Sequence, residues 1–299
     1  MIQPPLLKKG SEVAIISTAR YVHEADLNPA IELLESFGWK VRLGTTIGAV
    51  VNQFAGSDER RAADLENMLL DPNIEAIFCA RGGYGTIRML DMVDFQHPDI
   101  KPKWVVGFSD MTFLHAYLQQ VMGWQSLHAP NLASLHLHQD FEESLYRALT
   151  NKEHRFTFKN HPTNPQDFKA ISTLWGGNLS ILYQLLGSPE DLPKNDENFL
   201  LIEEVDEYLY HLDRMLWAFN RNGQLKKRKA LLVGGMTDMN DHEEPFGPNA
   251  LEILQQHAQM AQIPLIYDLP IGHGQQNQAI RMGSTTTLSL KGDIGTLIQ

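Results

Sequence analysis

The chain has 299 residues, 43% of them hydrophobic and 20% charged. That balance excludes a disordered, collagenous or coiled-coil protein, and the length suits one large domain or two of about 150 residues. Thirty-six acidic against 25 basic side chains give a formal net charge of −11, a field that repels phosphate backbones and anionic lipid, so neither nucleic acid nor a membrane surface is expected as a partner.

The amino terminus, MIQPPLLKKGSEVAII, lacks the apolar core of roughly 7–15 residues that marks a secretory signal. No segment reaches the roughly 18 apolar residues of a membrane span, so a cytoplasmic protein is expected. The one cysteine, Cys79, excludes an internal disulfide framework and any cysteine-rich zinc module.

Glu12–Thr18 reads as a buried strand. Asp26–Phe37 follows as a helix with Ile31, Leu33, Leu34 and Phe37 inward, ended by Gly38 just past its last turn. Trp39–Leu43 is a second strand. Ser57 suits a helix N-cap, with Asp58 and Glu59 in the acidic first turn and Ala62, Leu65 and Leu69 on one face. Glu75–Ala80 and Lys103–Phe108 are further strands, each followed by a helical stretch, Thr86–Val93 and Asp110–Met122. Four repeats of strand then helix predict right-handed crossovers and a parallel sheet covered by helices.

Asn151–Ala170 is polar, with two prolines and little periodicity, and is expected to link two domains, 1–150 and 171–299. Beyond it come a helix over Gly177–Leu186, a strand over Phe199–Glu203 and a long amphipathic helix over Glu207–Asn222. Strands over Lys229–Gly235, Ile263–Asp268 and Thr285–Lys291 complete a smaller α/β or β-rich domain.

The sharpest local feature is the run Lys103–Thr112 (KWVVGFSDMT). A serine at a tight strand-to-helix turn is held out of the sheet, with the following N–H and the helix N-terminus facing a developing oxyanion. The more ordinary reading of Ser109 is an N-cap. Met111 stands where a Gly-x-Ser-x-Gly elbow needs its second glycine, which disfavours a common α/β-hydrolase.

The cluster Arg81-Gly82-Gly83-Tyr84-Gly85 also follows a strand. It lets backbone approach a ligand or offers free N–H donors, or it is simply a tight turn. It matches no nucleotide-binding loop, so no such cofactor is expected. Both features fall at carboxyl ends of parallel strands, where open α/β sheets bind ligands.

A serine nucleophile needs a base and an orienter. Among twelve histidines, His273 stands apart, projecting from Pro270-Ile271-Gly272-His273-Gly274 after a strand. Glu203 and Glu204 close the apolar run Phe199–Ile202, where a buried carboxylate needs a partner, in the ordinary reading a salt bridge to Arg214 or another base. Weaker rivals are His136-x-His138 with Asp140 as a metal pair, Cys79 as a nucleophile, and Trp175 as a binding platform.

Taken together these segments resemble the LD-carboxypeptidase family of serine peptidases, which includes murein tetrapeptide carboxypeptidases and microcin self-immunity proteins. The resemblance rests on Phe54–Leu65 (FAGSDERRAADL), Ala80–Gly85 (ARGGYG), Val106–Asp110 (VGFSD), Gly176–Leu179 (GGNL), Leu201–Glu204 (LIEE), Leu212–Leu216 (LDRML), and Pro270–Gly274 (PIGHG) with Asn277, in family order over nearly the whole chain.

It implies a parallel-sheet, glutamine-amidotransferase-like α/β domain and a swivelling β/β/α-like carboxyl-terminal domain, with the site at their interface in a homodimer. It further implies Ser109 as nucleophile, Glu203 as orienter, His273 as base, and the N–H groups of Gly83 and Asp110 as oxyanion hole, with no cofactor or metal. Arg81 or Arg88 would anchor the substrate carboxylate, and Trp175 and Asn178 would line the site.

The implied reaction is release of the terminal D-alanine from murein tetrapeptide in peptidoglycan recycling. The alternatives are hydrolysis of aminoacyl-nucleotide amides, or a non-catalytic peptide-binding protein on the same fold. One departure is Ser17-Thr18-Ala19-Arg20, where relatives show a Pro-Ser pair.

Overall fold

A computed structural model describes residues 1–194 and 196–299. The first half runs β1 (Glu12–Ile16), α1 (Asn28–Ser36), β2 (Lys40–Leu43), α2 (Asp58–Leu70), β3 (Ile74–Cys79), α3 (Thr86–Leu90), β4 (Trp104–Gly107), α4 (Thr112–Gln120), β5 (Ser126–His128) and α5 (Glu142–Thr150). The second runs β6 (Arg155–Lys159), β7 (Asp167–Asn178), α6 (Leu179–Gln184), β8 (Phe199–Val205), α7 (Leu209–Asn222), β9 (Ala230–Thr237), α8 (Ala250–Ala261), β10 (Leu265–Ile266), β11 (Ile280–Met282), β12 (Thr285–Lys291) and β13 (Ile294–Ile298).

The first sheet has the order β11-β5-β4-β3-β1-β2. β1 to β5 are parallel, as the strand–helix alternation predicts, with apolar layers on both faces. Local signals set the helix ends. Ser57 accepts from the Arg60 N–H and caps α2, and Gly38 takes φ +84 beyond α1. Among the described residues no helix is long and apolar enough to cross a membrane.

The second sheet has the order β10-β9-β8-β7-β12-β13-β6. β7 serves both parts of it. Its later residues run parallel to β8, and its earlier ones pair antiparallel with β12. Two further apolar cores flank this sheet.

Three expectations need correction. The segment 151–170, read as a linker, contains β6 and the first residues of β7. β6 alternates exposed and buried residues, with Phe156 and Phe158 inward against the core. The period-2 pattern Arg-Phe-Thr-Phe-Lys carries that signal, but only two apolar side chains make it. Nor is the division by chain position clean. β11, from the last quarter of the chain, adds antiparallel to β5 at the edge of the first sheet. The helix expected over Gly177–Leu186 starts at Leu179, because β7 extends through Asn178.

Candidate active site

Ser109 follows β4 by two residues and adopts φ +64. A non-glycine residue there stores about 1 kcal/mol or more of backbone strain, and such strain clusters at functional positions. Neighbouring side chains hold the turn. Asn131 accepts from the Phe108 N–H (3.2 Å) and donates to the Phe108 carbonyl (3.3 Å). Buried Asp110 accepts from the Thr86 N–H at 2.8 Å, tying the serine turn to the start of α3. Burial raises the Asp110 carboxyl above its ordinary range, against that N–H bond.

The glycine turn lies alongside. A Cβ on Gly82 would stand 3.5 Å from Ser109 Cβ. Among the described residues, the Gly82 and Gly83 N–H groups have no backbone acceptor. Such free donors beside a nucleophile suit a developing oxyanion.

His273, in the connection between β10 and β11, meets Glu203 on β8. Glu203, fully buried on β8, accepts from His273 Nδ1 at 2.6 Å. Gly272, at φ +103, permits this approach, since a Cβ there would stand 2.8 Å from Glu203 Cβ. Asn277 Oδ1 receives the Gly272 N–H at 3.0 Å. Burial opposes the charge on Glu203, but the His273 beside it wins, and the carboxyl lies below its usual range. Burial likewise opposes charge on His273, and Glu203 overrides it to hold the imidazole above its usual value. Each partner favours the charged form of the other.

The first half pins the histidine turn. His138 Nδ1 donates to the Gly274 carbonyl at 3.1 Å, and the Gln139 N–H donates to Gln275 O at 2.8 Å. The His273 ring lies 4.6 Å from that of Phe108, the residue before Ser109. Ser109 and the Glu203–His273 pair thus converge across the two sheets, although among the described residues no hydrogen bond joins Ser109 to His273.

The other expected residues fall as follows. Glu204 forms no ion pair among the described residues; it accepts from Asn178 Nδ2 (2.8 Å) and from the Ser180 (2.7 Å) and Val205 (3.0 Å) N–H groups. Burial and the adjacent Glu203 push it up to about 7. Asn178 caps α6 and braces Glu204, and Trp175 is packed in the core behind β7, so neither lines an open site. Arg88 grips both oxygens of Asp58 (3.1 and 2.7 Å), which corrects its reading as a free anchor. Arg81 is exposed and donates to Tyr21 O. Arg214 lies over the Tyr210 ring rather than against Glu203. Cys79 is buried with its thiol pushed up to about 12, too high for a thiolate nucleophile. Asn131 and His138 were missed as supports, because each acts through a contact with a residue distant in sequence.

Residues 13–129 match the profile of the LD-carboxypeptidase N-terminal domain, and residues 172–288 that of the LD-carboxypeptidase C-terminal domain. A probable murein peptide carboxypeptidase of Bacillus subtilis is 30% identical, over 96% of this chain and 91% of the relative. The crystal structure of muramoyltetrapeptide carboxypeptidase from Oxalobacter formigenes superposes with a TM-score of 0.85 at 28% identity, covering 96% of this chain and 98% of that one. The microcin C7 self-immunity protein MccF, in complex with aspartyl sulfamoyl adenosine, shares the fold at a TM-score of 0.86 and 19% identity, over 100% of this chain and 99% of that one.

Proposed function

Because the chain belongs to the LD-carboxypeptidase family, and so is a serine carboxypeptidase, we propose that it releases the terminal D-alanine of murein tetrapeptide through Ser109, His273 and Glu203. The observation that carries this reading is the 2.6 Å bond from His273 Nδ1 to the fully buried Glu203. A carboxylate kept charged in the interior, against its desolvation cost, fits the stabilisation of an imidazolium formed during turnover.

In the proposed cycle Ser109 Oγ attacks the carbonyl carbon before the D-residue, and His273 Nε2 takes the hydroxyl proton. The N–H groups of Gly83 and Asp110 receive the oxyanion. The C–N bond then breaks, and His273 returns the proton to the departing amine. Water, deprotonated by the same imidazole, attacks the acyl-serine and frees the tripeptide. The contact between Ser109 and His273 is taken to close when substrate binds, as catalytic hydrogen bonds commonly do. We place the reaction in cytoplasmic murein recycling by a homodimer.

The pH dependence follows from the pair. The base must be neutral in the free enzyme, and Glu203 raises the His273 pKa above 6.5. Hence kcat/KM should fall as pH drops through a midpoint above 6.5. In Glu203→Gln the anion is gone and burial dominates, so that midpoint should move down. A pH profile of D-alanine release measures both, and an unmoved midpoint would remove Glu203 from the pair.

The adenylate reading is the alternative. Phe156, Phe158 and Trp175 are buried, and Phe168, in the same segment, is partly buried against the core, which leaves little aromatic face there for stacking. One observation favours it: beyond β8, the rings of Tyr208 and Tyr210 stack on His242 at 4.5 and 5.3 Å, with both tyrosines exposed. Competition between equal concentrations of murein tetrapeptide and aspartyl sulfamoyl adenosine decides between them. We expect the higher kcat/KM for the tetrapeptide; a higher value for the adenylate would transfer the assignment to it.

A further inference from the structure

A carboxypeptidase must distinguish a free terminal carboxylate from a continuing chain, and a guanidinium fork matches a carboxylate better than any other side chain. Four arginines surround the glycine turn beside Ser109. Buried Arg61 is committed to Asp58 and to the carbonyls of Thr18 and Gly85. Arg88 holds Asp58 in a bidentate pair, and Arg81 donates to Tyr21 O. Among the described residues Arg20 enters hydrogen bonds only through its backbone.

That backbone is fixed. Ser17 Oγ donates to the Arg20 carbonyl at 2.6 Å, and residues 19–21 bridge to residues 53–55. The exposed side chain therefore has a defined root and lies along the turn. A Cβ on Gly83, which takes φ +106, would stand 2.7 Å from Arg20 Cδ and 2.9 Å from Nε. The neighbouring Gly82 is the residue whose added Cβ would stand 3.5 Å from Ser109 Cβ. Arg20 Cγ, Cδ and Nε thus lie against Gly83, the next residue along the chain from the Gly82 that neighbours Ser109.

We propose that Arg20 is a specificity residue that binds the α-carboxylate of the substrate's terminal residue; this rests on the carboxypeptidase reading above. The glycines leave the guanidinium room against the turn, and the bound carboxylate would set the preceding carbonyl over Ser109. Once the D-residue leaves, the same contact is lost to the acyl-enzyme, which suits a group that selects the end of a chain.

The test is a pairwise comparison of tetrapeptide acid and its C-terminal amide. Ser109→Ala protein should bind the acid at least tenfold more tightly than the amide by calorimetry. Adding Arg20→Gln should weaken the acid about 10- to 100-fold, to the level of the amide, and leave the amide within about twofold. In active enzyme, Arg20→Lys should retain part of the kcat/KM for the acid, since it keeps the charge but loses the fork. Equal losses for acid and amide, or a preference that persists in Arg20→Gln, would overturn the proposal. So would a loss that appears with a diaminopimelate peptide but not with a lysine one, which would move the contact to the third residue. Absence of D-alanine release by the wild type would instead refute the carboxypeptidase reading, so the two failures are separable.

Discussion

Replacing Ser109 by alanine should lower kcat for tetrapeptide hydrolysis by about 10⁴- to 10⁶-fold, the range expected when a nucleophile is removed from a unit that acts together. Folding should be almost unaffected, because Ser109 Oγ makes no hydrogen bond among the described residues and the turn is held by Asn131 and Asp110. A second variant separates strain from chemistry. Ser109→Gly is equally inactive on this account, but it relieves the φ of +64 and should be more stable than Ser109→Ala by about 1 kcal/mol. Denaturant unfolding gives the stability comparison. Retained turnover in either variant would exclude Ser109 as nucleophile, and a Ser109→Gly protein no more stable than the alanine variant would exclude stored strain.

The second large effect concerns the adjacent glutamates. Glu203→Gln should reduce kcat/KM by about 10³- to 10⁴-fold, since it leaves the geometry almost unchanged but removes the charge that orients and stabilises His273. Glu204→Gln should stay within about tenfold of the wild type. Its cost lies in stability. Three N–H donors converge on Glu204, and an amide turned among them leaves one donor unpaired, for about 1–3 kcal/mol. Side by side, the two variants should show activity lost with little unfolding at 203 and stability lost with little inactivation at 204. Equal activity losses would mean that both carboxylates serve the histidine.

The difference between these neighbours shows what the sequence could carry. Two glutamates ending an apolar run announce a buried charge that needs a partner, and the glycines around His273 announce an exposed turn. Their pairing across 70 residues was available only through the family resemblance. The parallel sheet was legible because its strands are apolar on both faces and its helices carry capped, one-sided patterns. β6 and early β7 were not, because one face of that part of the sheet is solvated and its residues resemble a polar connection. α8 carries a capping box, Asn249 with Glu252, that reads as a helix start and was overlooked. The three-residue β11 is too short to signal anything by itself. Nothing in the sequence ties Arg20, Asn131 or His138 to the site; only their contacts with Gly83, Phe108 and Gly274 do.

The most direct test of the central assignment is mass spectrometry of murein tri-, tetra- and pentapeptides incubated with the wild type and with Ser109→Ala. The account predicts that the wild type converts tetrapeptide to tripeptide with release of one D-alanine and leaves the tripeptide intact, while Ser109→Ala converts none. Tetrapeptide that survives the wild type, or tripeptide formed by the Ser109→Ala protein, would contradict it.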